Sequence, residues 1–291
     1  MFSGAITAMV TPFRDGRLDE GRLREQVEFQ VESGIDGLVP VGTTGESPTL
    51  DFDEHVRVIE LTVKFARKRV PVIGGVGANS TDEALKLHEA ARGVGCDAGL
   101  SVNPYYNKPT QEGLYRHFMT LADRVDLPIV LYNIPGRTGV EMSPATVGRL
   151  ARHRNIVAMK EATGNVSMAT EYAQHAPGLT VLSGDDPLTL PMMSVGAKGV
   201  ISVLSNLMPA EVKRLCQLAG AGNVADAAAV HHRVYRLTKS LFLDGNPVGI
   251  KYAMRLAGTD SGELRLPLVE ASDVTQRTIR GLMQEAGLNV A

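Results

Sequence analysis

The stretch Ile129-Val130-Leu131-Tyr132-Asn133-Ile134-Pro135-Gly136-Arg137-Thr138-Gly139, followed by Asn155-Ile156-Val157-Ala158-Met159-Lys160, contains two short apolar runs. Each run closes on one polar side chain, Tyr132 or Lys160, and the two lie 28 residues apart. That interval accommodates one strand, one helix and their loops, so the runs read as neighbouring parallel strands of a repeated unit. Their ends should then sit roughly 5 Å apart at the backbone.

Similar runs occur on both sides: Ala5 to Val10, Gly37 to Val41, Val70 to Gly75, Ala98 to Val102, Leu179 to Leu182 and Gly199 to Ser202. Taking the strand ends as Val10, Gly42, Gly75, Val102, Tyr132, Lys160, Ser183 and Ser202, the intervals are 32, 33, 27, 30, 28, 23 and 19 residues. Helical periodicity fills the gaps, with Leu23, Val27, Phe29 and Val31 in the first and Val56, Ile59, Leu61 and Val63 in the second. Eight such units predict an α/β fold, a closed (β/α)8 barrel over residues 1–223, with its site at the C-terminal ends of the strands. An open doubly wound sheet is the competing layout, but no GxGxxG follows the first strand. From 224 to 291 strand signals stop. Val224 to Leu243, Pro247 to Leu256 and Val274 to Ala286 read as helices of a C-terminal region that caps the barrel or mediates assembly.

Composition narrows the chemistry. With 30 basic against 32 acidic residues and a net charge of −2, there is no electrostatic footprint for nucleic acid or an anionic membrane. The two cysteines, Cys96 and Cys216, are far apart, which argues against a disulfide framework and fits a reducing cytoplasm. The first ten residues lack a basic region and read as a strand, with no export or membrane segment expected. The seven histidines show neither HxH nor HExxH spacing, so no metal or other cofactor is expected. Small-molecule chemistry is the default.

Lys160 is a candidate nucleophile, although the hexapeptide by itself reads more simply as a strand followed by its first polar residue. A primary amine is inert while protonated, burial disfavours the charged form, and a freed amine can form a Schiff base with a carbonyl. Tyr132 on the adjacent strand could pass protons to and from such an imine; packing at the barrel rim would explain it equally well. Gly42-Thr43-Thr44-Gly45-Glu46-Ser47 could cradle a small carboxylate with amides and hydroxyls, or could be a plain turn. Asn103-Pro104-Tyr105-Tyr106-Asn107-Lys108-Pro109 carries two adjacent aromatics that cannot both enter one core. Arg137 could hold a carboxylate in paired hydrogen bonds. Asp186 before Pro187 reads as an N-cap.

Taken together, Gly42-Thr43-Thr44-Gly45-Glu46, Tyr132 to Gly139 and Met159-Lys160-Glu161-Ala162-Thr163-Gly164 resemble the signatures of the dihydrodipicolinate synthase family, and the likeness covers essentially the whole chain. The wider group is the pyruvate-dependent class I aldolases, including N-acetylneuraminate lyase. The resemblance implies a lyase condensing pyruvate with L-aspartate 4-semialdehyde through a Lys160 Schiff base, in diaminopimelate and lysine biosynthesis. It implies a relay of Tyr132, Thr43 and a neighbouring subunit's tyrosine equivalent to Tyr106, with Thr44 holding the pyruvate carboxylate and Arg137 that of the semialdehyde. Gly184 and Ile201 would line the pocket, Ile201 through its backbone. A homotetramer, as a dimer of dimers, is implied. So is an interface site for inhibitory L-lysine at Ser47, His55, Asn79, Glu83 and Tyr105, although Phe52 stands where lysine-sensitive relatives can have histidine, and Pro48 and Ser80 also differ from a familiar form of the family.

Overall fold

The computed structural model describes residues 2–290. Eight strands form one parallel sheet: β1 (Gly4–Ala8), β2 (Gly37–Val39), β3 (Ile73–Gly75), β4 (Ala98–Val102), β5 (Ile129–Asn133), β6 (Ile156–Glu161), β7 (Thr180–Ser183) and β8 (Gly199–Ser202). The order β2-β1-β8-β7-β6-β5-β4-β3 is nearly a ring. It is closed by a parallel bridge between Leu38 and Val72, beside a hydrogen bond from the Leu38 amide to the Pro71 carbonyl at 3.0 Å. The expected barrel is therefore the observed one. Three strands are shorter than expected: β1 ends at Ala8 rather than Val10, and β2 and β3 are cut short for backbone reasons. Beyond Val39, Pro40 has no amide to donate and Val41 turns into positive φ at 55°. Pro71 likewise delays the start of β3.

Between the strands run α1 (Glu20–Glu32), α2 (Phe52–Ala66), α3 (Thr81–Gly93), α4 (Gln111–Arg124), α5 (Pro144–Leu150), α6 (Ser167–His175) and α7 (Thr189–Ser194); α8 (Pro209–Gly220) follows β8. Side chains alternate across the strands, as the pleat requires. Ile6, Val39, Ile73, Leu100, Val130, Ala158, Leu182 and Ile201 fill the lumen, while Leu131 and Met159 pack outward in the larger core beneath the helices.

In α1 the expected apolar stripe is only partly correct: Leu23 and Val27 are buried, but Phe29 is 39% exposed. The inward positions at spacings of three and four are instead Gln26 and Gln30. Gln30 Nε2 donates to the Ser205 carbonyl and Gln30 Oε1 accepts from Thr7; Gln26 Nε2 donates to Asp260. An antiparallel pair, Phe13–Arg14 with Arg17–Leu18, was not anticipated, although its Asp15-Gly16 turn is a hairpin signal.

The C-terminal helices are α9 (Val224–Ser240), α10 (Val248–Leu256) and α11 (Asp273–Glu285). α9 stops three residues earlier than expected, where the chain turns through Phe242 to Gly245, with Gly245 at positive φ. No helix among the described residues is long and apolar enough to cross a membrane.

His88 and His117 are buried, and burial holds both imidazoles down at about 4. Unfolded imidazoles take up protons near pH 6.5. Between about 4 and 6.5 the unfolded chain therefore binds more of these protons, and this contribution to stability is lost as pH falls. Burial raises the Glu161, Asp186 and Asp260 carboxyls, which act with the opposite sign. The difference between wild type and His117→Gln isolates the histidine. Thermal unfolding from pH 7 to 4.5 should show a shallower loss of Tm on acidification in the variant, and parallel curves would show that His117 contributes nothing.

Candidate active site

Tyr132 and Lys160 are register partners on β5 and β6, so both side chains face the lumen at its C-terminal end. Lys160 is 5% exposed, with Nζ 4.2 Å from the Tyr132 ring centroid. Gly184, just after β7, leaves space for it: a Cβ there would lie 3.0 Å from Lys160 Cε and 2.9 Å from Ala162 Cβ. A side chain at 184 would crowd both the lysine and Ala162 in this position.

The Gly42–Ser47 loop folds back tightly. Gly45 donates to the Gly42 carbonyl at 3.0 Å and Glu46 to that of Thr43 at 3.2 Å, while a Cβ on Gly45 would come within 2.9 Å of the Val41 backbone. Glu46, in the left-handed region at φ 56°, sends its carboxylate inward. There it meets Lys251 of α10 at 2.7 Å, with both side chains fully buried. Lys251 also donates to the Glu263 carbonyl at 2.6 Å and lies over the Phe13 ring, and the Arg265 amide donates to the second Glu46 oxygen at 3.1 Å. A buried pair retained with this many additional hydrogen bonds fixes geometry more than it adds stability.

Asn246, in the turn after α9, links two of the predicted residues. Its side-chain amide donates to Thr44 Oγ1 at 3.0 Å, and its carbonyl accepts from the Arg137 guanidinium at 3.2 Å. These groups surround a cavity of about 280 Å³, lined among others by Thr43, Thr44, Tyr132, Arg137, Lys160 and Gly184. Six of the expected site residues are thus brought together on one wall system. Asp185, Lys239, Phe242 and Asn246 also line it and were not singled out as site residues. The Asn246-Pro247 step in a loop was the only available signal for the last of these. Ile201 is in the lumen cluster, 1% exposed, and is not among the cavity-lining side chains.

Tyr106 does not line the cavity; it is 90% exposed at positive φ, 72°. Of the residues expected to bind lysine, Asn79 donates to the Tyr105 carbonyl at 3.2 Å. Burial and the nearby Glu83 charge raise the Tyr105 phenol. His55 is buried, bonded to the Gly75 carbonyl at 2.6 Å, with its imidazole lowered by that burial, and Ser47 is half-buried. The expected N-cap at Asp186 is not found. Asp186 lies inside the 3-10 turn Asp186–Leu188, and its carboxyl accepts from Ser202 Oγ and from the Val203 and Leu204 amides. It ties the β7 loop to the β8 loop because the orphan amides there are buried and near.

A (β/α)8 barrel with a buried lysine at a strand end, a tyrosine beside it and carboxylate-sized donors around one cavity is the arrangement of a Schiff-base aldolase. The family model for the dihydrodipicolinate synthetase family matches residues 1–286, and the chain belongs to that family. The 4-hydroxy-tetrahydrodipicolinate synthase of Geotalea daltonii is 52% identical over 98% of this chain and 99% of its own, and that of Pelobacter propionicus is 51% identical over 99% and 100%. The dihydrodipicolinate synthase of Aquifex aeolicus superposes with a TM-score of 0.98 at 47% identity, covering 99% of each chain. Two further relatives carry ligands. The chloride-inhibited enzyme of Acinetobacter baumannii is complexed with pyruvate (TM-score 0.97, 42% identity, 99% and 100% covered), and that of Cyanidioschyzon merolae has lysine bound (TM-score 0.96, 39% identity, 99% of each chain covered).

Removing one partner of the Glu46–Lys251 pair strands a buried charge. Lys251→Met should destabilise the protein by about 3–5 kcal/mol in denaturant unfolding, and adding Glu46→Gln should recover part of that loss. Equal stabilities for Lys251→Met and wild type would show that the pair does not hold the loop.

Proposed function

We propose that this chain condenses pyruvate with L-aspartate 4-semialdehyde to give 4-hydroxy-tetrahydrodipicolinate, the product in its relatives' names. The observation that carries the reading is the Lys160 amine, buried at the strand end against the Tyr132 ring within a cavity that also presents Arg137. In this mechanism Lys160 Nζ adds to the pyruvate ketone, and water leaves to give the iminium. The iminium accepts the electron pair released when a methyl proton departs. The resulting enamine carbon attacks the aldehyde, and the substrate's own amine then closes the ring by displacing Lys160. Tyr132 carries protons at the carbinolamine, with Thr43 as the next member of the relay.

The amides of Gly45, Glu46 and Ser47 are taken up by carbonyls within the loop. This favours Thr44, with its backbone, as the pyruvate carboxylate donor. Arg137, anchored on the Asn246 carbonyl, is assigned to the semialdehyde carboxylate. Gly184 is assigned to making room for the adduct, and Ile201 to lining the lumen beneath it through its backbone. Residues 1–223 are assigned to the catalytic barrel and 224–291 to a helical region that also closes the mouth of the site.

The exposure of Tyr106 supports a role outside its own cavity, as the relay tyrosine supplied to a second subunit. That assignment needs at least a dimer; the assembly proposed is a homotetramer built as a dimer of dimers, and the location proposed is the cytoplasm. Asn79, Glu83 and Tyr105, with Ser47 and His55 nearby in sequence to the cavity loop and α2, are proposed to bind L-lysine, for which Glu83 offers a carboxylate to an ammonium group.

Three measurements test the reading. Borohydride reduction with pyruvate should add one pyruvate-derived mass to the peptide carrying Lys160, and an unmodified Lys160 peptide would overturn the mechanism. Arg137→Ala should raise KM for the semialdehyde by roughly 10- to 100-fold, consistent with loss of a paired charge-assisted contact, with a smaller effect on pyruvate. Millimolar L-lysine should slow turnover, and an unchanged rate would remove the regulatory assignment.

A further inference from the structure

Behind the rim, on the face of β6 opposite Lys160, the structure holds a buried polar group that the condensation does not use. Glu161 is 1% exposed and pairs in register with Asn133 of β5 and Ser183 of β7. Its Oε1 accepts from the Thr163 amide at 2.6 Å, whereas Oε2 is buried with no hydrogen-bond partner among the described residues. The surrounding groups form a chain: Asn103 Nδ2 donates to Asn133 Oδ1 at 2.9 Å, and Asn133 Nδ2 donates to the Tyr172 hydroxyl at 2.8 Å. The Met142 amide donates to the same Asn133 oxygen at 3.0 Å. Backbone bonds join this layer to the catalytic rim. The Asn103 amide donates to the Tyr132 carbonyl at 3.0 Å, Ala162 to the Asn133 carbonyl at 3.0 Å, and Gly184 to the Glu161 carbonyl at 2.6 Å.

An ionised carboxylate with one bare buried oxygen is costly, whereas a carboxylic acid needs one fewer acceptor contact and gains a donor. We propose that Glu161 is a positioning residue that works as a neutral carboxylic acid, with Oε2–H directed toward the Tyr172 oxygen, and so locks the β5 and β6 rims that set Lys160 against Tyr132. This rests on the Lys160 reading above. Burial, reinforced by the Glu141 charge, raises the Glu161 carboxyl, against the Thr163 hydrogen bond and the nearby Tyr172 hydroxyl, which lower it. The groups facing it are Glu141, Thr163, Asn133 and Tyr172. Lys160, the adjacent cation in sequence, points to the opposite face of the strand. Neutrality has a chemical advantage: a carboxylate beside the nucleophile would favour its protonated, inert form.

The test compares Glu161→Gln, Glu161→Leu and Tyr172→Phe in the full chain, reading kcat, KM for pyruvate and the rate of borohydride-trapped adduct on Lys160 from pH 6 to 9. Gln keeps the shape and the donor of the neutral acid. It should retain kcat within about threefold and leave the pH profile unmoved. Leu should lower kcat and the trapping rate by roughly 10- to 100-fold, with a smaller change in KM, as expected for a misplaced nucleophile. Tyr172→Phe should lie between them and stands in if the Leu variant does not fold. If Gln loses as much as Leu, or shifts the pH profile, an ionised carboxylate is required and the proposal is overturned. If all three variants keep wild-type kcat and change only Tm, Glu161 is purely structural and the proposal is again overturned. Absence of adduct in the wild type would instead remove the underlying reading of Lys160.

Discussion

The Glu46–Lys251 contact is the constraint on which the geometry of the Thr43–Thr44 loop depends. It joins the loop after β2 to α10, two segments separated by 205 residues, with both charges fully out of water. A desolvated pair of this kind is tolerable only when its remaining hydrogen-bonding capacity is met. The Glu263 carbonyl, the Arg265 amide and the Phe13 ring meet it here. Arg265 in turn forks onto Glu54 of α2 at 2.6 and 2.7 Å. The loop that carries Thr43 and Thr44 is therefore held from outside the barrel by the C-terminal region. That same region supplies Asn246, Lys239 and Phe242 to the cavity, so the C-terminal helices are a wall of the site as well as a cover for the barrel.

A second constraint is register. Tyr132 and Lys160 meet because they are paired residues of adjacent parallel strands. A slip of one residue would turn either side chain out of the lumen. Register at this point is secured by the outward-facing partners of the same strands: Leu131 and Met159 in the helix-facing core, then Asn133 and Glu161 one step further along. The lumen below is filled by aliphatic side chains, so the amine emerges from an apolar floor and is surrounded by polar groups only at its own level.

The barrel was legible because each strand is a short apolar run whose end recurs after 19 to 33 residues, room for one helix and its loops. Pro40 and Pro71 explain the misplaced bounds of β2 and β3. The pairing of Lys160 with Tyr132 could be read from the same periodicity, since each is the first polar residue after such a run, whereas the roles proposed for them rest on the resemblance of the surrounding motifs. Arg137 and the Gly42–Glu46 loop could be read from local composition. Glu46 itself was quoted as part of that loop without a role, because its partner is in a distant helix and nothing local to either residue marks a buried pair. The same blindness applies to Asp186: an aspartate before proline signals an N-cap, yet the nearest unsatisfied amides were those of Val203 and Leu204 on the next loop. Gln26 and Gln30 were passed over because an inward-facing polar residue looks like a break in an apolar stripe until its tertiary partners are known.

These misreadings share a physical cause. Hydrophobic burial is nearly additive in local pattern, so periodicity reveals it, whereas a buried polar group is decided by whether a specific partner arrives from elsewhere in the chain. In this protein several such groups lie at the C-terminal end of the barrel: Asn103, Asn133 and Glu161 behind the rim, Asp186 between two loops, and Glu46 with Lys251 at a third. The opposite arrangement, an apolar rim, would cost less to desolvate but would leave strand ends and loops free to slide on one another. Directional contacts at the C-terminal end fix the positions of Lys160, Tyr132 and the Thr43–Thr44 loop relative to one another, which the proposed chemistry requires because the substrate carbon bonded to the lysine nitrogen would alternate between planar and tetrahedral.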